Sequence, residues 1–433
     1  MNNRIARKGQ MNLFERRQPI PIAEAVRKIM DFEMNGITER VSIEESYGRF
    51  LSEDLAATSD VPHFNRAPYD GFAVRSIDTS AASLSNPVEF EVIDHIGAGM
   101  VSTKQVNRNQ AVRIMTGAMM PNGTDAVVMF EVAQSFKKNG TPYMSIKRSF
   151  KQGENVSYMG EDAKKGEVLV KSGTLINPGI QAMLATFGYN YVPVAKKPII
   201  GLFATGTELL EVDEPLVAGK IRNSNSHMIA AQIERAGGIV HYFGKLPDEF
   251  STCYAAVAQA LDKVDFLITT GGVSVGDFDY LPEIYEKLGA EVLFNKVAMR
   301  PGSVTTVASH NNKLLFGLSG NPSACYVGFE LFARPVIRRL LGSKRPHLRK
   351  EKAILEADFP KANPFTRFVR SAVYIEEGRL KVVPSGLDKS NIIMSLAGAN
   401  SLTILPGGTR GFSAGKEVDV LLLEDQSGSE WPW

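Results

Sequence analysis

Residues Asp265-Phe-Leu-Ile-Thr-Thr-Gly-Gly-Val-Ser-Val-Gly-Asp-Phe-Asp-Tyr280 decide how the chain is read. Phe266 to Thr270 has the length and apolar character of a buried strand. Gly271, Gly272 and Gly276 then open the backbone, Asp277 and Asp279 follow, and Leu281 begins a helical pattern. A strand passing through glycines into a helix start suits an anion. Backbone N–H groups approach it unobstructed, and the helix N-terminus adds partial positive charge. Two carboxylates beside such a cradle repel a phosphate unless a cation lies between them. The stretch therefore points to a phosphate-bearing ligand with Mg²⁺. A tight strand-to-helix turn with two solvated acids accounts for the same residues.

The surrounding pattern sets the fold class. Strands at 199–204, 239–243, 266–270 and 314–318 alternate with helices near 225–236, 251–261, 281–288 and 322–341. Alternation of this kind predicts a doubly wound, mostly parallel sheet. Ligands of such sheets bind beyond the carboxyl ends of the strands. Thr205-Gly-Thr-Glu208, Gly271–Asp279 and Gly317-Leu-Ser-Gly-Asn-Pro322 all fall at such ends.

Outside this region the period changes. Ile22, Val26, Ile29 and Met30 share one helical face, and a short strand is expected at 39–43 with a possible helical piece at 42–51. Short apolar alternations with many glycine and proline breaks make 61–156 a β-rich unit. A hairpin at 165–176 precedes Asn177-Pro178, an N-cap and first-turn proline for a helix ending before Gly188. Pro193 to Pro198 reads as a linker. Alternating strands return between Ala353 and Leu423 as a small β-barrel or sandwich, and Glu424 to Trp433, with both tryptophans, reads as a loose tail, unstructured or docked on a partner.

Composition bounds the rest. At 433 residues the chain is too long for one ordinary core. It is 44% hydrophobic and 22% charged, as soluble globular proteins are. A net charge of +2 gives no reason to expect nucleic-acid or membrane binding. Cys253 and Cys325 cannot make a disulfide framework or metal motif, which fits a reducing cytoplasm. No apolar run reaches membrane-span length, and the basic start lacks the apolar core of a secretory signal. Met1 to Gln10 is patternless, either an extension or residues ahead of a start at Met11. The six histidines are scattered, and no nucleotide-binding Gly-Lys-Ser/Thr loop or Gly-x-Gly-x-x-Gly turn occurs, which argues against an NTPase or a dehydrogenase.

In order, Thr205-Gly-Thr-Glu208, Gly271-Gly-Val-Ser-Val-Gly-Asp-Phe-Asp-Tyr280, Arg300-Pro-Gly302 and Gly320-Asn-Pro322 resemble the molybdopterin molybdenumtransferases, a family that includes bacterial molybdenum-cofactor insertion enzymes and the large domain of gephyrin-like proteins. Pro68-Tyr-Asp-Gly-Phe-Ala73, Arg113-Ile-Met-Thr-Gly-Ala118 and Gly160-Glu-Asp162 match its other signatures, so the resemblance runs from Met11 to Leu423. It implies a multidomain α/β subunit: a split dimerisation domain (11–60 and 155–195), an inserted β-rich domain (61–154), a molybdopterin-nucleotide-binding domain (196–344) and a C-terminal β-barrel (345–424). It implies a cytoplasmic homodimer with composite active sites. It further implies Mg²⁺-dependent insertion of molybdate into adenylylated molybdopterin with release of AMP, and contact with molybdopterin adenylyltransferase or other proteins of cofactor synthesis. A non-catalytic cofactor scaffold on the same fold, or a hydrolase of another phosphate ester, are the rival readings.

Roles carry over position by position. Asp279 matches the family's essential acid, as a Mg²⁺ ligand or pyrophosphate-positioning group rather than a simple helix cap; Asp277 stands at a variable position. Glu208 matches a catalytic carboxylate and a second metal ligand. Asp70 and Thr116 match positions that reach the partner subunit's site. Thr205, Gly206, Gly271, Gly272, Ser274, Gly276, Gly320, Asn321 and Pro322 would hold the pterin nucleotide. Asp248 converges on the same edge or caps the helix at Ser251. Lys296 and Arg300, four apart, suit an oxyanion, either molybdate or phosphate. Arg300 replaces a common lysine, Ser319 a common proline, Ala67 a usual serine, and Ser303-Val304 a Lys-Pro pair. Ser390, with Arg367 or Arg370, would face the cleft from the C-terminal domain, though a salt-bridged barrel surface explains those arginines as well.

Overall fold

The computed structural model describes residues 17–246, 249–272, 280–361 and 363–433. They form two compact units. One contains the chain up to Glu53, Ser172–Gln181 and Tyr191–Trp433; the other contains Asp54–Lys171 and Ala182–Asn190.

The first unit begins with helix α1 (Ile22–Met30), whose Ile22, Ala25, Val26 and Ile29 are buried at helical spacing. Strand β1 (Thr38–Ser42) follows. Residues 43–49 then form turns and no helix. The second unit is built from β2 (Leu55–Ala56), β3 (Gly71–Val74), β4 (Val88–Ile96), β5 (Gln110–Ile114), β6 (Ala126–Met129), β7 (Ala133–Lys138), β8 (Thr141–Ile146) and β9 (Val168–Val170). Its main sheet runs β6-β3-β5-β4-β8-β7, and β2 pairs with β9. Ala73, Val112, Ile114 and Val127 bury one face of that sheet, while Phe72, Val74, Phe90 and Met144 bury the other.

Helix α2 (Pro178–Thr186) leads back to β10 (Tyr191–Ala195), which pairs antiparallel with β1. Pro193 therefore lies inside a strand, opposite Arg40, and not in a linker. A two-stranded ribbon has only edges, so the missing N–H costs no ladder bond; the Pro193 carbonyl still accepts the Ser52 N–H at 3.2 Å.

Next come β11 (Ile199–Thr205), β12 (Leu209–Leu210), β13 (Ile221–Arg222), α3 (Ser224–Ala236), β14 (Ile239–Leu246), α4 (Phe250–Leu261), β15 (Phe266–Thr270), α5 (Leu281–Leu288), β16 (Glu291–Phe294), β17 (Met299–Arg300), β18 (Thr306–His310) and β19 (Lys313–Leu318). The central sheet runs β14-β11-β15-β19-β18-β16. Its first four strands are parallel, as expected, and β18 and β16 add an antiparallel edge that the alternation rule does not reveal. Ile200, Leu202, Phe266, Ile268 and Phe316 enter the core on one face; Phe203, Leu267 and Leu315 enter the core under α4 and α5 on the other. Strands apolar on both faces need cover on both, so the sheet is doubly wound.

Helix α6 (Pro322–Gly328), a π-helical turn at Phe329–Ala333 and α7 (Arg334–Leu340) follow. The chain ends in β20 (Arg349–Leu355), β21 (Thr366–Glu376), β22 (Arg379–Pro384), the short α8 (Met394–Ala397), β23 (Ser401–Leu405) and β24 (Glu417–Leu422). The order β21-β22-β20-β24-β23 closes through β21–β23 into a five-stranded barrel, the barrel alternative of the sequence reading. Strand β17 adds to it beside β21. The last residues are not loose: Ser429 exchanges backbone hydrogen bonds with His347, Trp431 packs edge-on against His347, and Trp433 against Phe368. The Trp433 ring gains more from covering the unit's own apolar surface than from water.

Candidate functional site

The three strand-end turns meet at one edge of the central sheet. β11, β15 and β19 are adjacent and parallel, so Thr205, Thr270 and Leu318 finish side by side. The Thr205 hydroxyl donates to the Thr270 carbonyl at 3.0 Å, and the Gly271 N–H donates to the Leu318 carbonyl at 2.9 Å. Gly271 has φ 87°, and a Cβ there would lie 2.6 Å from Thr205 Oγ1 and 2.8 Å from its carbonyl oxygen. Only glycine permits both that conformation and that approach. Gly272 also packs on the Thr205 hydroxyl, and Gly320 stands opposite the Cα of Gly271. Thr205, Gly271, Gly272, Gly320, Asn321 and Pro322 are thus brought together.

Glu208 sits in the loop that β11 sends over this edge. β12 pairs with β13 to close the loop, and the Glu208 carbonyl accepts the Ile221 N–H at 2.9 Å. Its exposed carboxylate folds back over Gly206, where a Cβ would lie 2.4 Å from Oε2. Asp248, Ser274, Gly276, Asp277 and Asp279 lie outside the described residues. The α4 cap is Glu249: its carboxylate accepts the N–H groups of Ser251 at 3.1 Å and Thr252 at 2.8 Å. The Ser251 and Thr252 hydroxyls and amides hold its pKa down at about 2. Among the described residues, no three His, Cys, Asp or Glu side chains gather as metal ligands would.

The expected oxyanion pair is held by backbone. The Lys296 carbonyl accepts the Ile20 N–H at 3.1 Å. Arg300 lies in β17, opposite Arg367 of β21, with an exposed side chain. Ser390 reaches α6 through its backbone, its carbonyl accepting the Ser323 N–H at 3.0 Å. Arg370 is almost wholly buried and bonds the Asp388 carboxylate at 2.8 Å. It stiffens the barrel instead of pointing a free guanidinium into a cleft.

In the second unit, Asp70 and Thr116 meet as a pair. Asp70 Oδ1 accepts both the Thr116 N–H and its hydroxyl, each at 2.7 Å. These donors lower the Asp70 pKa.

Family profiles match the chain in three stretches. Residues 20–188 match one described as "MoeA N-terminal region (domain I and II)", 201–339 one described as "Probable molybdopterin binding domain", and 352–423 one described as "MoeA C-terminal region (domain IV)". The chain is 61% identical to the molybdopterin molybdenumtransferase of Bacillus subtilis over 97% of its length and 98% of the relative's. The chain belongs to the molybdopterin molybdenumtransferase family. It is 51% identical to the molybdopterin molybdenumtransferase of Staphylococcus epidermidis, over 96% of this chain and 98% of that one. The crystal structure of the molybdopterin biosynthesis moeA protein from Pyrococcus horikoshii shares the fold, with TM-score 0.82 and 30% identity over 94% of this chain and 100% of that one.

Within this molybdenumtransferase-family fold, sequence reading missed two residues, one at the strand-end edge and one in the C-terminal barrel. Asn225 Nδ2 donates to the Gly320 carbonyl at 2.9 Å. Asp388 fastens the loop that carries Ser390. Asn223-Ser-Asn225 is visible in sequence as a helix start, but nothing there says that Asn225 turns toward Gly320. Asp388 has no local signal, because its partners lie about twenty residues upstream.

Proposed function

We propose that this transferase acts in molybdenum-cofactor synthesis, inserting molybdate into adenylylated molybdopterin with release of AMP. The observation that carries the reading is the meeting of Thr205–Glu208, Gly271–Gly272 and Gly320–Pro322 at one sheet edge. No helix among the described residues is long and apolar enough to cross a membrane, and we place the work in the cytoplasm.

Each role follows from this chain's own groups. Gly271 and Gly272 let a phosphate approach the backbone without a side chain in the way. Lys296 and Arg300 attract molybdate or the nucleotide phosphates; Arg300 offers a planar two-pronged donor where lysine offers a point charge. Glu208 supplies hard carboxylate oxygens, the donor type Mg²⁺ takes. With Asp279 it would hold that ion, which when bound would neutralise pyrophosphate charge. Asp70, kept ionised by Thr116, completes the site of the partner subunit in a homodimer. Proteins that supply the adenylylated pterin are natural partners.

Purified protein should release AMP from adenylylated molybdopterin only when molybdate and Mg²⁺ are present. Glu208→Gln should cut kcat/KM by about a hundredfold, the scale of losing a charge-positioning group. Binding without turnover would favour a scaffold, and release indifferent to molybdate would favour a hydrolase.

A further inference from the structure

Asp388 is 8% exposed and surrounded by cations. Its carboxylate accepts from Arg370 at 2.8 Å and from Arg367, and Lys361 Nζ lies 3.7 Å away. Lys361 also donates to the Asp388 carbonyl at 2.7 Å. Arg370 extends the grip to the carbonyls of Leu387 and Lys389, each at 3.3 Å, and to Ser395 Oγ at 3.3 Å. Arg367 is itself squared by Asn363 Oδ1, at 2.8 and 3.1 Å. Residues 387–390 are therefore pinned by Arg367 and Arg370 of β21 and by Lys361, with the Asp388 carboxylate as their shared counter-charge. Removing that charge would leave two arginines facing each other with little water to separate them.

The pinned loop also reaches helix α6. Ser390 accepts the Ser323 N–H at 3.0 Å, and the Ile392 carbonyl accepts the Ser323 hydroxyl at 2.5 Å. Ser323 follows Gly320-Asn-Pro322 directly and lies in the first turn of α6. The strand that carries Arg367 and Arg370 also pairs with Met299 and Arg300 of β17. The barrel thus grips both the Gly-Asn-Pro turn of the strand-end edge and the strand that carries Arg300, and both grips run through the neighbours of Asp388.

We infer that Asp388 is a positioning residue for the transfer site, setting Ser390, the Gly320–Pro322 turn and Arg300 in register across the barrel and the α/β sheet. This rests on the strand-end edge being the substrate site.

The test uses the full chain with adenylylated molybdopterin, molybdate and Mg²⁺. Asp388→Asn should raise KM for the adenylylated pterin about tenfold, the effect of losing an outer group that orients a binding group, with kcat changed far less. Asp388→Glu, which restores the charge, should recover most of the loss. Ser323→Ala, which cuts one thread of the grip and leaves the hub whole, should move KM in the same direction by a smaller factor. A folded Asp388→Asn protein with unchanged KM overturns the inference. Should Asp388→Asn fail to fold, Ser323→Ala decides: unchanged KM there overturns it. If wild-type protein releases no AMP, the substrate reading fails and amide exchange judges the hub. The Ser323 N–H should then exchange faster in Asp388→Asn, and equal rates would overturn the anchoring.

Discussion

Asp70 shows what a single residue position can hold. Its carboxylate is on the surface, yet two donors from Thr116 meet one of its oxygens. Donation to the charged form lowers the pKa, with the Thr116 amide the largest contributor. A depressed carboxylate pKa favours the folded state above the ordinary value, and that contribution is lost as pH falls through the folded value. Asp70 therefore stays ionised into the acid range. Thr116→Val removes the hydroxyl and keeps the amide, so the Asp70 pKa should rise part of the way toward its usual value. Carboxyl-carbon NMR titration reads this directly; an unchanged midpoint would show that the hydroxyl is not a donor. Gly271 is the backbone counterpart, a position where conformation and Thr205 together admit no side chain.

At the scale of an element, the caps and turns decide where groups point. Helix α4 begins on Glu249, whose two oxygens take the Ser251 and Thr252 amides. Its pKa near 2 means the cap survives well below the pH at which an ordinary glutamate is neutral. At pH 3 the wild-type Ser251 and Thr252 amides should remain protected from hydrogen exchange. Glu249→Gln, which lowers the acceptor strength of the cap, should expose them at pH 3 and at pH 7 alike. Protection lost in wild type already at pH 4 would contradict the depressed value. The π-helical turn at Phe329–Ala333 plays a different part. It carries Glu330, fully buried, between Arg235 and Arg334, with Gln232 donating at 2.6 Å. A π turn shifts the side-chain register by one residue, and here the shifted segment holds a buried carboxylate that balances those arginines.

For the whole molecule, the proposal of composite sites makes a quantitative demand. If Asp70 serves the partner's site while Glu208 serves its own, Asp70→Asn and Glu208→Gln homodimers should each turn over only weakly. Subunits exchanged in a one-to-one mixture would give half heterodimers, each with one intact site, so about a quarter of wild-type AMP release should return. No recovery, after subunit exchange has been verified with differently tagged subunits, would place both acids in one subunit's site.

Much of this protein was legible in the residues. The alternation of short apolar strands with helical faces determined a doubly wound sheet, because strands apolar on both sides must be covered on both. Glycines 271, 272 and 320 announced close backbone approach, and their placement at strand ends determined the edge at which chemistry would gather. Local spacing could not show what long-range packing decides. Pro193 looked like a linker because its tolerance depends on pairing with Arg40, far away in sequence. Trp431 and Trp433 looked loose because the rings that receive them belong to other segments. Asp388 was silent for the same reason: a buried charge takes its meaning from its partners, and only the folded barrel brings Arg367, Arg370 and Lys361 to it.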